Sequence, residues 1–289
     1  MEQVVVNGIY LGSQYAMIAL GLTLIFALMN VLNFAHGQMY VIGGFVTYTF
    51  YGQFQMPFLL ALLMSCLTLT VLGALIEKFL FGPVIRRSAR EESTMLLAAG
   101  IAFLLDAVIL LVFGEKQRGV PKIVDGVFNW DFRIIMPYDR ILICALAILS
   151  IVAFITFMQF SRTGRALRAL AQDRDAAQLM GVNVNRYSMI GFALGAMLAG
   201  LVGGLLVTIT GVNLGMGGPT SIKAFLMVMI GGAGVISGAI VGGFILGMLE
   251  AVGLAVLSQY GDITYLVIFV ALMIFLTIRP QGLMGKPWG

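Results

Sequence analysis

The chain is 289 residues long, 60% hydrophobic and only 10% charged, with a mean hydropathy of +1.02. Soluble domains carry about 25% charged and roughly half apolar residues, so a water-soluble globular protein is excluded. The formal charge of +4 sits in short basic clusters beside apolar stretches, a pattern that orients a chain in a bilayer and not one that binds nucleic acid.

In chain order the apolar runs are about Val4 to Met29, Phe34 to Tyr51, Phe58 to Phe81, Thr94 to Phe113, Ile141 to Phe160, Ser188 to Thr210, Ala224 to Leu257 and Ile263 to Ile278. Several pass the roughly 18 residues that mark a membrane-spanning helix, so the fold class is all-α, a polytopic transmembrane bundle. The start, Met1 to Val4, has no basic region before the first run, which is therefore expected to be retained and not cleaved as a signal peptide. The run from Ala224 is too long for one span and contains Gly231, Gly232, Gly234, Ser237 and Gly238, so it is divided into two short helices. That division gives about nine spans. A re-entrant reading of Ala224 to Ser237 gives eight.

Lys and Arg counts set the expected orientation. Lys78 to Arg90 holds four and Arg162 to Arg186 holds five, against five in Glu115 to Arg140 between them. The first two segments are assigned to the cytoplasm and the third to the outside. The N-terminus is then outside, and the C-terminus, with Arg279 and Lys286, is cytoplasmic. Residues 1–289 read as one transmembrane domain with a cytoplasmic loop at 161–187 and an outer loop at 114–140. Val127 to Ile134 in the outer loop alternates over part of its length, which predicts a short hairpin or an irregular loop, with Trp130 a candidate for the headgroup level.

Two breaks interrupt the apolar pattern. In the first, Asn30 to Gln38, Asn33 is a natural helix N-cap, and backbone freed inside a membrane must be satisfied by protein or line a wet cavity. Asn33, His36 and Gln38 are accordingly candidate pathway residues, or else residues that only cap and anchor a helix end. The second break, Gly211 to Pro219, includes Gly215 and restarts a helix near Thr220; it reads as an outer gate or a connector. Met39 to Gly44 and Met227 to Gly232 share a pattern after these breaks, either a trace of internal symmetry or chance.

Charges within the apolar runs are Asp106, Lys223 and Glu250, with Glu77 and Lys78 near a span end. Asp106 and Glu250 are expected to be buried and structurally paired, because a carboxylate at mid-span costs at least about 2.5 kcal/mol and turns inward. Cys66 and Cys144 lie in apolar runs without metal-ligand spacing, so neither a disulfide framework nor a metal site is expected.

The cytoplasmic segment from Ser161 to Asn183 is rich in helix formers and stops at Gly181. Asp173 is placed to cap a second short helix, with Asp175, Ala176 and Ala177 in its first turn and Leu179, Met180 and Val182 as apolar contacts. Asp175-Ala-Ala-Gln-Leu-Met-Gly181 resembles the Glu-Ala-Ala-x-x-x-Gly loop of ABC importer permeases, with Asp in place of Glu and without the Leu-Pro that closes the longer motif. Arg162, Gly164, Arg168 and Ala169, followed by Asp173 to Val184, are similar to permeases for branched-chain amino acids, ribose and related solutes. Asn33-Phe-Ala-His-Gly37 after Gly21 to Ile25 resembles the LivH type of branched-chain amino-acid importer. The resemblance implies a permease subunit in the bacterial cytoplasmic membrane. It further implies a homologous second permease, two cytoplasmic ATPases that bind ATP and magnesium, and a periplasmic solute-binding protein.

On that resemblance, Arg168, Asp173, Asp175, Ala176, Ala177, Leu179, Met180 and Gly181 couple the bundle to the ATPase. The chain has no Gly-x-x-x-x-Gly-Lys-Ser/Thr phosphate loop, so it is expected to be no enzyme and to bind no cofactor. Sugar, urea and nucleoside import stay open, as do a facilitator and a proton-coupled carrier using Asp106, His36 and Glu250.

Overall fold

The computed structural model describes residues 1–30, 32–87, 91–130, 134–256 and 262–285. Of the residues singled out above, Arg90, Arg133, Leu257, Lys286 and the side chain of Trp130 lie outside the described set. Helix α1 (Glu2–Met29) is followed by α2 (His36–Thr47), which continues as a π turn at Tyr48–Gln53. Helix α3 (Phe58–Ile76) runs through a second π turn, Glu77–Phe81, into α4 (Gly82–Arg87); α5 spans Glu91–Phe113. After strands β1 (Val127–Trp130) and β2 (Ile134–Pro137) come α6 (Tyr138–Phe160), α7 (Arg162–Gln172), α8 (Arg174–Leu179) and α9 (Val184–Thr210). A 3₁₀ turn at Leu214–Met216 leads into α10 (Gly217–Gly231), and α11 (Ile236–Val256) and α12 (Asp262–Ile278) complete the order.

Among the described residues, seven helical stretches are long and apolar enough to cross a membrane; α2 and the apolar part of α12, Leu266–Ile278, are shorter. The expected division of the Ala224 run is present between α10 and α11, where Gly232 and Gly234 take φ of 106° and 81°. Helix α10 begins earlier than the sequence suggested, at Gly217 and not near Thr220. Pro219 falls in its first turn, where a missing N–H costs no intrahelical bond.

The loop between α5 and α6 forms the expected hairpin, antiparallel with Phe128 opposite Met136 and Asn129 opposite Ile135. The Gln3 side chain holds it, accepting from the Ile135 N–H at 2.9 Å and donating to its carbonyl at 3.2 Å. Arg118 and Val212 exchange backbone bonds of 2.8 and 2.7 Å, so the start of the second break is tied to the same loop. At the opposite end lie α7, α8 and the C-terminal turn, where Leu283 and Met284 donate to the carbonyls of Ile230 and Gly231. Gln3 and the turn at 279–284 thus lie at opposite ends of the bundle.

Helices α1 and α9 form the buried centre, while α3, α5 and α6 expose apolar faces rich in Leu, Val and Phe. In lipid, apolar side chains gain little by leaving the solvent, so association depends on close backbone packing. Gly8, Gly12 and Ala16 form a four-residue-spaced stripe on α1 against Gly243 and Gly247 of α11. A Cβ on Gly243 would meet the backbone of Ala16, and one on Gly247 the backbone of Gly12. Gly243→Leu should therefore destabilise the bundle by roughly 1–3 kcal/mol. Gly100→Ala, where a Cβ meets nothing within 4 Å, should not. Thermal melting of the detergent-solubilised protein checks both.

Candidate functional site

The first break carries the chain back from the end of α1 into the middle of the bundle. His36, the first residue of α2, is fully buried, and its Nε2 lies 3.1 Å from the carbonyl oxygen of Ile18 in the body of α1. A carbonyl only accepts, so Nε2 carries a proton, while Nδ1 is buried without a partner among the described residues. Gly21 makes room for the imidazole, because a Cβ there would press on both His36 and the Gly195 carbonyl of α9.

The two broken segments meet at this depth. The Gly37 N–H donates to Ser221 Oγ of α10 at 2.9 Å, and that hydroxyl donates to the Phe34 carbonyl at 3.0 Å. Phe34 and Phe225 pack edge to face with centroids 5.1 Å apart. One hydroxyl thereby satisfies an N–H in the first turn of α2 and a carbonyl in the break. Asn33 is completely buried, and its side-chain oxygen accepts from the Ala35 N–H at 3.1 Å, one residue before the helix starts. It stabilises the turn that leads into α2 and does not bond to the helix itself.

Gly215 lies on the exposed side of the second break and Thr220 is half-buried. Their neighbour Ser221, which the sequence reading passed over, makes the contact. Its position just inside a helix start opposite a second break was the available signal.

Glu250 is buried and paired, as expected for an intramembrane carboxylate. Lys223 Nζ on α10 reaches its two oxygens at 2.9 and 3.0 Å and donates to Tyr15 Oη of α1 at 2.7 Å. Tyr15 in turn donates to Glu250 Oε2 at 2.5 Å. The triad joins α1, α10 and α11. Opposite charges in consecutive apolar runs were the sequence clue to it.

Asp106 differs, being half-buried and not enclosed. Gln38 Nε2 donates to both of its oxygens at 3.2 Å, and no Lys or Arg among the described residues pairs with it. His36, Asp106 and Glu250 bond to different partners, and no hydrogen bond among the described residues links one to another, which disfavours a proton relay through them.

At the other end, α7 and α8 form a compact projection. Ser161 caps α7 by accepting from the Gly164 N–H at 2.8 Å, and Asp173 caps α8 by accepting from the N–H groups of Asp175 and Ala176 at 2.9 Å each. Gly181 ends α8 at φ 84°, a left-handed conformation that glycine adopts without strain. Leu179 and Met180 are 89% and 85% exposed, a pair of apolar side chains held out on a capped turn.

The two alanines do not form one face. Ala176 is exposed, whereas Ala177 is 5% exposed and belongs to the core, since neighbouring residues on a helix are about 100° apart. Arg168 stays exposed, its guanidinium donating to the Gln159 carbonyl at the end of α6 at 3.2 Å. It lines a cavity of about 860 Å³ with Asn30, Met158, Gln172, Ser237 and Gln281. Among the described residues no group of His, Cys, Asp and Glu could hold a metal ion.

A family profile described as "Branched-chain amino acid transport system / permease component" matches residues 4–277. The chain belongs to this permease family. It is 33% identical to the high-affinity branched-chain amino acid transport system permease protein BraD of Pseudomonas aeruginosa, covering 99% of this chain and 96% of that one. LivH of Escherichia coli K12, named for the same transport system, is 32% identical over 97% of this chain and 94% of its own. A probable LivH of Methanocaldococcus jannaschii is 30% identical over 99% and 94%. The solved structure of PsaBC from Streptococcus pneumoniae in complex with Fab shares the fold, with a TM-score of 0.52 at 15% identity over 95% of this chain and 91% of that one. The family are transport permeases of ABC systems, and this multi-span chain is a membrane protein of that kind.

Removing one member of the triad strands the other charge in the bundle, at a cost of about 3–5 kcal/mol when burial is complete. Lys223 is 30% exposed, so a smaller loss is expected. Lys223→Met and Glu250→Gln should each lower the melting temperature more than the double variant Lys223→Met/Glu250→Met. Equal losses in all three would contradict the pairing.

Proposed function

We propose that this permease is a membrane subunit of an ATP-driven, binding-protein-dependent importer that carries branched-chain amino acids across the bacterial cytoplasmic membrane. The observation that carries the reading is the α7–α8 projection, with Leu179 and Met180 held out by a capped, glycine-terminated turn, in a chain of this family. In the proposed assembly the projection seats in a cytoplasmic ATPase, and a homologous second permease completes the pathway. ATP and magnesium bind to the two ATPase subunits, because the chain lacks a phosphate loop of its own. The positive-inside count supports a cytoplasmic α7–α8 end and an outer hairpin end, with the N-terminus outside and the C-terminus inside.

Work passes through α8 only if the ATPase holds it differently in its ATP-bound and ATP-free states. Burial of Ala177 and the bond of Arg168 to the end of α6 make these two residues supports that fix the angle of the projection. Leu179, Met180 and the first-turn acid Asp175 are the surface the motor grips. The junction of α2 and α10 supplies the polar lining of an otherwise apolar route, which suits an aliphatic amino acid released by a periplasmic binding protein.

The test is uptake of radiolabelled leucine by proteoliposomes holding both permeases, the ATPases and the loaded binding protein. ATP-dependent uptake that resists a protonophore is expected. Leu179→Asp/Met180→Asp should abolish uptake and co-purification of the ATPase while the bundle's melting temperature stays unchanged. Uptake by the permeases alone, driven by a proton gradient, would overturn the reading. Lys122→Glu on the exposed outer loop should weaken docking of the binding protein at low salt and have less effect at high salt. Sedimentation binding to the same vesicles measures it.

A further inference from the structure

Asp106 lies in the sixteenth position of the 23-residue helix α5, among apolar residues, with Phe103 and Leu110 exposed on its own side at 74% and 40%. A carboxylate at that depth normally has a cation partner. Here its hydrogen bonds among the described residues come from the Gln38 amide alone. That contact fixes which way the amide points: Nε2 must face the carboxylate, which leaves Oε1, itself buried, without a donor among the described residues. Gln38 is 4% exposed, and Gly217 at the start of α10 packs against its carboxamide, where a Cβ would collide.

Helices α2 and α5 run side by side in register. Seven residues beyond the Gln38–Asp106 contact on each helix, Phe45 and Phe113 stack with centroids 4.4 Å apart. The place therefore combines a carboxyl group with no cation partner and an acceptor with no donor among the described residues, with apolar and aromatic surface next to them.

We propose that Asp106, with Gln38 Oε1, is a transient site for the ammonium group of the transported amino acid. An ammonium carries three N–H donors and no acceptor, which matches two carboxylate oxygens and one amide oxygen. The aliphatic side chain then lies against Phe103 and Leu110. A sodium ion satisfies the same acceptors, and the test separates the two. This inference rests on the permease reading and adds to it the group by which the bundle recognises its solute.

The experiment is leucine uptake by proteoliposomes of the complete importer, expressed per ATP hydrolysed by the same vesicles, for the native chain, Asp106→Asn and Asp106→Glu. Asp106→Asn should lower uptake roughly tenfold or more, the effect of losing a charge-assisted hydrogen bond, and Asp106→Glu should restore most of it. Excess 3-methylbutylamine should inhibit the native importer and leave the residual uptake of Asp106→Asn unaffected, whereas 4-methylpentanoate should do neither. Replacing sodium by choline should leave native uptake unchanged. Normal uptake by Asp106→Asn would overturn the inference. So would a sodium requirement that disappears in that variant, or failure of the importer to assemble in Asp106→Asn, which would assign the charge to a cation of a neighbouring subunit. Absence of ATP-dependent leucine uptake by the native importer would defeat the permease reading itself, an outcome distinct from all of these.

Discussion

The structure depends on one constraint: backbone N–H and carbonyl groups inside a hydrocarbon slab have no water to bond with. A chain that breaks its helices at mid-depth must answer those groups from within the protein. Here the answer is reciprocal, because the Ser221 hydroxyl of the second broken segment bonds both the Gly37 N–H and the Phe34 carbonyl of the first. His36 reaches across to Ile18, and the Asn33 side chain closes the turn between them. The two interruptions stabilise each other, and their polar groups come together at one place in an otherwise apolar bundle.

Around this junction the packing is divided into a tight centre and looser flanks. Glycine and alanine stripes bring α1, α9 and α11 into backbone contact, a surface that side chains cannot slide across without collision. The α7–α8 projection attaches elsewhere, to the end of α6 through Gly164 and Arg168 and to α9 through α8. Through these contacts the projection bears on the ends of α6 and α9. The Lys223–Glu250–Tyr15 triad ties α10 to the closely packed pair α1 and α11.

Much of this was legible in the residues. Composition and run lengths gave the membrane class, the Asn30–Gln38 and Gly211–Pro219 segments gave the two breaks, and Asp173 and Gly181 bound α8 as their chemistry requires. Local signals suffice where the interaction itself is local. The contacts that join distant segments were not legible. Gly37 with Ser221, Lys223 with Glu250 and Gln38 with Asp106 are pairings that only the fold creates. The burial of Ala177 was not legible either, because only helical rotation, and not its place beside Ala176, turns it into the core. The early start of α10 was hidden by two glycines and a proline, residues that usually mark a loop but are tolerated in a first helical turn.

The meeting of the two broken segments is the claim on which the site depends, and it can be tested without transport. Phe34→Cys and Phe225→Cys, combined in a chain whose Cys66 and Cys144 are replaced by serine and which carries a protease site in the outer loop, would be treated in native membranes with a short bismaleimide. After proteolysis the two halves should stay joined on a denaturing gel, and each single-cysteine control should fall apart. Separation of the halves in the double variant, with both thiols shown to react, would contradict the account.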